Sequence, residues 1–130
     1  MTNSFTVAGK NPIDLDQIAN QLRAKIDALA PGSPLLAAQF LNEQSGLQAL
    51  LVVVRGHEAP HTHPDGDLVI SVLIGGGYVL LNEKLDATAG STIIIPKGVC
   101  HAYYNLAEGD SVLLATFSPI NSKGECPLIV

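Results

Sequence analysis

Five short apolar runs constrain this chain most: "LQALLVVVR" (47–55), "LVISVLI" (68–74), "YVLLN" (78–82), "STIIIP" (91–96) and "SVLLATF" (111–117). Each has the length of a strand and is rich in β-branched and other apolar residues. Turn clusters separate them: "PDGD", "GGG", "NEKLDATAG" and "AEGD". Several short strands at this spacing argue for an all-β sandwich or barrel. The long apolar helical patterns of an α/β protein are absent. "GGG" at 75–77 precedes a strand and not a helix, so it reads as a turn and not as a phosphate loop.

One helix is expected ahead of the strands. Leu15, Ile18, Leu22, Ile26 and Leu29 fall three or four apart and form one apolar stripe. Pro12 stands just before it, Asp14 is a suitable N-cap, and Gln17 follows three residues later. "APGSP" at 30–34 ends it, because prolines and glycine there cannot continue a helix. Residues 1–11 read as a loose arm. The expected organisation is therefore an arm and helix over 1–34, packed on a single strand-rich domain over 35–130.

Composition excludes several function classes. A chain of 130 residues can bury a core without disulfides. With 47% hydrophobic and 15% charged residues it is too apolar to be disordered. The net charge of −5, with scattered basic residues, argues against nucleic acid and anionic membranes as partners. No stretch has the length of a membrane span and the N-terminus has no signal-peptide pattern, which gives a cytoplasmic expectation. Cys100 and Cys126 form no CxxC and read as two ordinary thiols in a reducing compartment, with Cys100 turned into packing. A mean hydropathy of +0.30 is high for a lone domain and points to a subunit interface.

The histidines are unevenly placed. Three of four lie in "HEAPHTHPDGD" (57–67), and the fourth is His101. In a strand, residues two apart share a face, so His61 and His63 point the same way and can converge on one ion. His101 has to come from elsewhere in the fold to complete three nitrogens. Asp67, after the "PDG" turn, is a candidate fourth ligand. Three histidines, with or without a carboxylate, leave open positions and suit iron, manganese, nickel, copper or zinc as one divalent transition-metal ion. The competing reading is an exposed histidine pair with no ion.

The segment "GSTIIIPKGVCHAYYN" tips that balance. Gly90, Pro96, Gly98, His101 and Asn105 match every fixed position of G-x5-P-x-G-x2-H-x3-N, the second motif of the cupin superfamily, which this chain therefore resembles. The first cupin motif is matched less well. Gly56, His61, His63 and Gly75 are present, but the Gly56-to-His61 gap is one residue short and the glutamate is missing. Asp67 stands in its place on one spacing and Leu68 on the other. The resemblance covers about 47–118. It implies an antiparallel β-barrel or jelly roll, in agreement with the strand reading, with His61, His63 and His101 meeting in the barrel mouth.

Other residues are candidates beside these ligands. Tyr103 lies two after His101 and is expected to share its cavity, where its hydroxyl could meet a ligand. Arg55 would suit a substrate carboxylate if it faced inward, and is otherwise an edge charge. His57 shares parity with His61 and His63, although Gly56 and Pro60 interrupt the strand. Asn105, Gly90, Gly98 and Pro96 read as structural. Cupins host many activities, and fold alone does not choose among them. The leading expectation is a metal-dependent enzyme on a small molecule, dioxygenase-like. The alternatives are a non-catalytic small-ligand or sugar-binding module and a metal-independent isomerase or epimerase using His61 with Asp67, or Tyr103. A homodimer is expected from the apolar composition.

Overall fold

The computed structural model describes residues 3–42, 46–119 and 124–125. The elements in chain order are β1 (Ser4–Phe5), β2 (Ile13–Asp14), α1 (Leu15–Asp27), β3 (Leu36–Phe40), β4 (Gln48–Val54), β5 (His61–Thr62) and β6 (Asp67–Ile74). There follow β7 (Gly76–Leu80), β8 (Lys84–Thr88), β9 (Thr92–Ile95), β10 (Ala102–Asn105), β11 (Ser111–Ser118) and β12 (Gly124–Glu125). All pairs are antiparallel. A five-stranded sheet runs β3-β4-β11-β6-β9 and a three-stranded sheet runs β10-β7-β8. The expected all-β architecture with one N-terminal helix is what the chain adopts.

Two apolar cores explain the sequence pattern. Leu50, Val52 and Val54 of β4 pack with Leu68, Ile70 and Val72 of β6, and Leu113, Ala115 and Phe117 of β11, against Val79, Ala87 and Tyr103 of the smaller sheet. The alternate residues Ala49, Leu51 and Val53 face out and lie under Leu15, Ala19, Leu22 and Ile26 of α1. β4 is thus buried on both faces, which is why its sequence is an unbroken apolar run rather than an alternating one. β6 alternates, with the side chains at 68, 70 and 72 buried and those between them partly exposed.

The helix begins as expected. The Asp14 carboxylate accepts hydrogen bonds from the backbone N–H groups of Asp16 (2.9 Å) and Gln17 (3.3 Å). It ends at Asp27, before Leu29, which stays exposed. The N-terminal arm is less loose than its sequence implies, since β1 pairs with β2. The sequence reading also missed β3, β8 and β10. β8 was hidden inside "NEKLDATAG", where Ala87 is its one fully buried residue. The "GGG" segment is not wholly a turn, because Gly76 and Gly77 already belong to β7.

Ion pairs fasten the helix to the sheet. The Arg55 guanidinium holds Asp110 through Nε (2.8 Å) and NH2 (3.2 Å), and Asp27 of α1 through NH1 (2.7 Å). Arg23 of α1 approaches the same Asp110 carboxylate at 3.3 Å. The hydrogen bond from Arg55, followed by the charges of Arg55 and Arg23, holds the Asp110 carboxyl below its usual range against the opposing effect of burial. A depressed folded-state value means that this stabilisation is present above the ordinary carboxylate range, near pH 4, and is lost as pH falls through the lower folded value. Asp110→Asn is expected to lower the urea midpoint at pH 7 and to flatten its fall below about pH 4. An unchanged acid limb in the variant would assign that limb to other groups.

Asn105 organises the loop beside these pairs. Its amide donates to the carbonyls of Arg55, Ala107 and Gly109, and its carbonyl accepts from Ala107 N–H and from the Ser111 hydroxyl. Its role here is structural. Gly90 and Gly98 adopt φ of +91° and +80°, which L side chains rarely do, and Pro96 directly follows β9. Cys100 is disulfide-bonded rather than the free thiol expected, and the one other cysteine in the chain, Cys126, lies outside the described residues.

Candidate metal centre

β5 is only two residues long, yet it carries the first of the three clustered histidines. His61 forms a bridge with His101, each backbone N–H donating to the other's carbonyl at 3.0 Å. His63 follows two residues after His61, and its carbonyl accepts from Gly98 N–H. The two histidine segments are thereby zipped together. His61 and His63 are 7% exposed and His101 is 1% exposed. Ring nitrogens of all three lie within 4.8 Å of one another. Ring centroids are 4.8 Å apart for His61 and His63, 4.4 Å for His61 and His101, and 5.1 Å for His63 and His101. The Phe117 ring packs edge-on to His63 at 4.6 Å.

Backbone carbonyls set the ring orientations. His61 Nδ1 lies 2.7 Å from the Ala59 carbonyl, and His101 Nδ1 lies 3.0 Å from the Val99 carbonyl. A carbonyl only accepts, so each Nδ1 carries the proton and each Nε2 keeps its lone pair. His101 Nε2 is buried and has no hydrogen-bond partner. Burial, reinforced by the neighbouring His61 and His63 and opposed by the Val99 carbonyl, lowers the His101 pKa to about 4. A neutral, buried imidazole with an orphaned lone pair among two other imidazoles fits a transition-metal ion. The three histidines form a group that can hold one.

A cavity of about 190 Å³ opens beside them. Leu36, Ala38, Leu50, Val52, Leu68, Ile70, Leu113, Ala115 and Phe117 supply its apolar wall, and Glu58, Ala59, His61 and His63 complete the lining. Glu58 escaped the sequence reading. Its backbone N–H donates to the Tyr103 carbonyl (2.9 Å), and its Oε1 accepts from Tyr103 N–H (3.0 Å). Its Oε2 stands 3.8 Å from His61 Nε2. No short motif marks this residue. The only available signal was a lone acid inside the histidine cluster.

The other candidates are placed elsewhere. Asp67 is exposed, and its carboxylate accepts from Lys97 N–H at 2.9 Å. The alternation of β6 explains this, since with Leu68, Ile70 and Val72 inward an odd-numbered neighbour points out. Tyr103 is fully buried, but its hydroxyl donates to Ser111 Oγ at 2.8 Å instead of facing the cavity, and burial raises its pKa. Arg55 is occupied by Asp110 and Asp27. These two acids push its pKa up further. His57 is exposed and stacks on Tyr104, which stacks in turn on Tyr78, at 4.8 and 5.0 Å.

Comparison with known proteins matches this arrangement to a family. A cupin-domain family model matches residues 50–117. An uncharacterized protein of Aquifex aeolicus is 44% identical over 80 residues, covering 61% of this chain and 65% of that one. The rice germin-like protein 1-1 is 33% identical over 69 residues, covering 48% of this chain and 32% of that one. The matches thus span less than two thirds of either relative. Among solved structures, KdgF from a Halomonas species superposes with a TM-score of 0.63 at 26% identity, over 72% of this chain and 86% of that one. The antiparallel sheets, the paired histidine segments and the matched 50–117 stretch coincide, and this chain belongs to the cupin family.

Proposed function

We propose that the chain is a metal-dependent enzyme acting on a small molecule, with oxygenase chemistry the leading class. The buried His101 Nε2 carries this reading, because a lone pair left unpartnered there is costly unless an ion takes it. His61, His63 and His101 would hold the ion. When bound, it would supply a Lewis acid with open positions beside the cavity. The Ala59 and Val99 carbonyls keep the Nδ1 protons in place and so keep each Nε2 directed inward. The apolar wall excludes water, and Glu58, tied at both its backbone and its carboxylate to Tyr103, orients a donor on the substrate. The isomerase reading loses its suggested partners, since Asp67 and Tyr103 are engaged elsewhere.

Elemental analysis of untagged protein tests the proposal, followed by oxygen uptake with a substrate panel. One transition-metal ion per chain is expected, with metal–nitrogen distances of about 2.0–2.2 Å. Protein that stays metal-free after incubation with iron, manganese, nickel, zinc and copper salts would refute it.

Assembly as a homodimer belongs to the same proposal. The helix stripe from Leu15 to Ile26 packs on its own sheet, so that part requires no partner. Ile94 does lack cover: it is 69% exposed on β9, at the edge of the five-stranded sheet. A dimer mass in light scattering at micromolar concentration is expected. A monomer mass would contradict it.

A further inference from the structure

We propose that the ion-free cavity beside the histidines selects an uncharged, mainly apolar molecule with a single polar group, of about seven to nine non-hydrogen atoms. This rests on reading that cavity as the small-molecule site. Size sets the first limit. An engineered apolar cavity of about 150 Å³ admits benzene, and this one, at about 190 Å³, admits such a ring with one to three further atoms.

Wall chemistry sets the second limit. The polar side chains of the described lining, Glu58, His61 and His63, lie next to one another, with Glu58 Oε2 3.8 Å from His61 Nε2 and the His61 and His63 ring centroids 4.8 Å apart. The remaining lining is aliphatic or Phe117. The backbones of β4, β6 and β11 are paired on both sides within the sheet, and that of β3, at its edge, is paired on one side with β4. A ligand can therefore satisfy its polar atoms mainly at this cluster. A sugar would bury several hydroxyls against apolar wall, and each one left unpaired weakens binding by roughly tenfold.

Charge sets the third. Among the described residues no lysine or arginine lines the cavity, Arg55 is committed to Asp110 and Asp27, and the one lining carboxylate is Glu58. In the ion-free chain an anionic ligand of the same size meets none of the described cations there and faces the Glu58 carboxylate. A phenol or alcohol instead can donate to Glu58 while its body fills the aliphatic wall.

Binding of p-cresol, benzoate and xylose to the chelated 130-residue chain, by calorimetry, tests this, with the metal content of the untreated protein measured in parallel. p-Cresol is expected to bind at least about tenfold more tightly than benzoate or xylose. Ala115→Phe fills the cavity, and Ala38→Phe narrows it from an exposed wall position that tolerates substitution. Each should weaken p-cresol by about tenfold or more. Glu58→Gln should narrow the gap between p-cresol and benzoate. Benzoate or xylose matching p-cresol, absent p-cresol binding, or p-cresol binding indifferent to both alanine variants overturns the proposal. Metal content separates the two readings. A metal-free protein with the expected selectivity refutes the metal and keeps the cavity assignment, and a metal-loaded protein without it does the reverse.

Discussion

His101→Ala is expected to remove the bound metal. Loss of a residue that only supports a ligand costs about 10–100-fold in metal affinity, so loss of a ligand should cost about a hundredfold or more. His101 is the most buried of the three histidines, and its Nε2 has no other partner. Its side chain contributes no hydrogen bond to the fold beyond that to the Val99 carbonyl, while its backbone bridge to His61 survives truncation. The variant should therefore fold. Metal content and thermal midpoint, measured together, check both halves of the expectation. His57→Ala is the control, since that ring lies on the exposed aromatic stack with Tyr104 and not in the cluster. Equal loss of metal in both variants, or retention in both, would contradict the assignment.

Gly77→Ala is expected to have the largest effect on stability. A Cβ at Gly77 would overlap the Tyr104 carbonyl oxygen and approach the Leu106 N–H at 3.0 Å. These are backbone atoms of the paired strand and cannot rotate away. β7 lies between β10 and β8, so parting β7 from β10 opens the smaller sheet at its centre. The cost should exceed about 4 kcal/mol, the range reached only by a few mechanisms such as severe overpacking. β10 begins at Ala102, directly after His101, so the variant should also lose metal. Gly90→Ala provides the contrast. Gly90 has φ +91° but open space around it, so the penalty there is conformational only, about 1–2 kcal/mol. Denaturant midpoints of the two variants test the ranking. A Gly77→Ala protein as stable as Gly90→Ala would show that the close approach is relieved at little cost.

The features legible in the sequence are those governed by local geometry. Asp14 caps its helix because a short carboxylate reaches the N–H groups of residues 16 and 17 wherever such a turn forms. The stripe from Leu15 to Ile26 is buried because helical spacing puts those residues on one face. The HxH pair shares a face through the two-residue period of extended chain. The outward position of Asp67 was equally available, from the alternation of Leu68, Ile70 and Val72 that follows it. β8 was missed because a strand with one buried residue carries almost no hydrophobic signal.

Contacts between distant segments belong to the tertiary structure. His61 meets His101 only because a two-residue strand bridges to the approach of β10, forty residues away in sequence. Tyr103 lies inward as its parity requires, but the neighbouring Ser111, from another strand, draws its hydroxyl away from the cavity. Arg55 is turned from any substrate by Asp27 on the helix and Asp110 on a loop. Glu58 enters the site because Tyr103 holds its backbone and one carboxylate oxygen. Period and propensity act over a few residues. Which carboxylate reaches the histidines depends on how two segments far apart in the chain pack against each other, and no local rule encodes that.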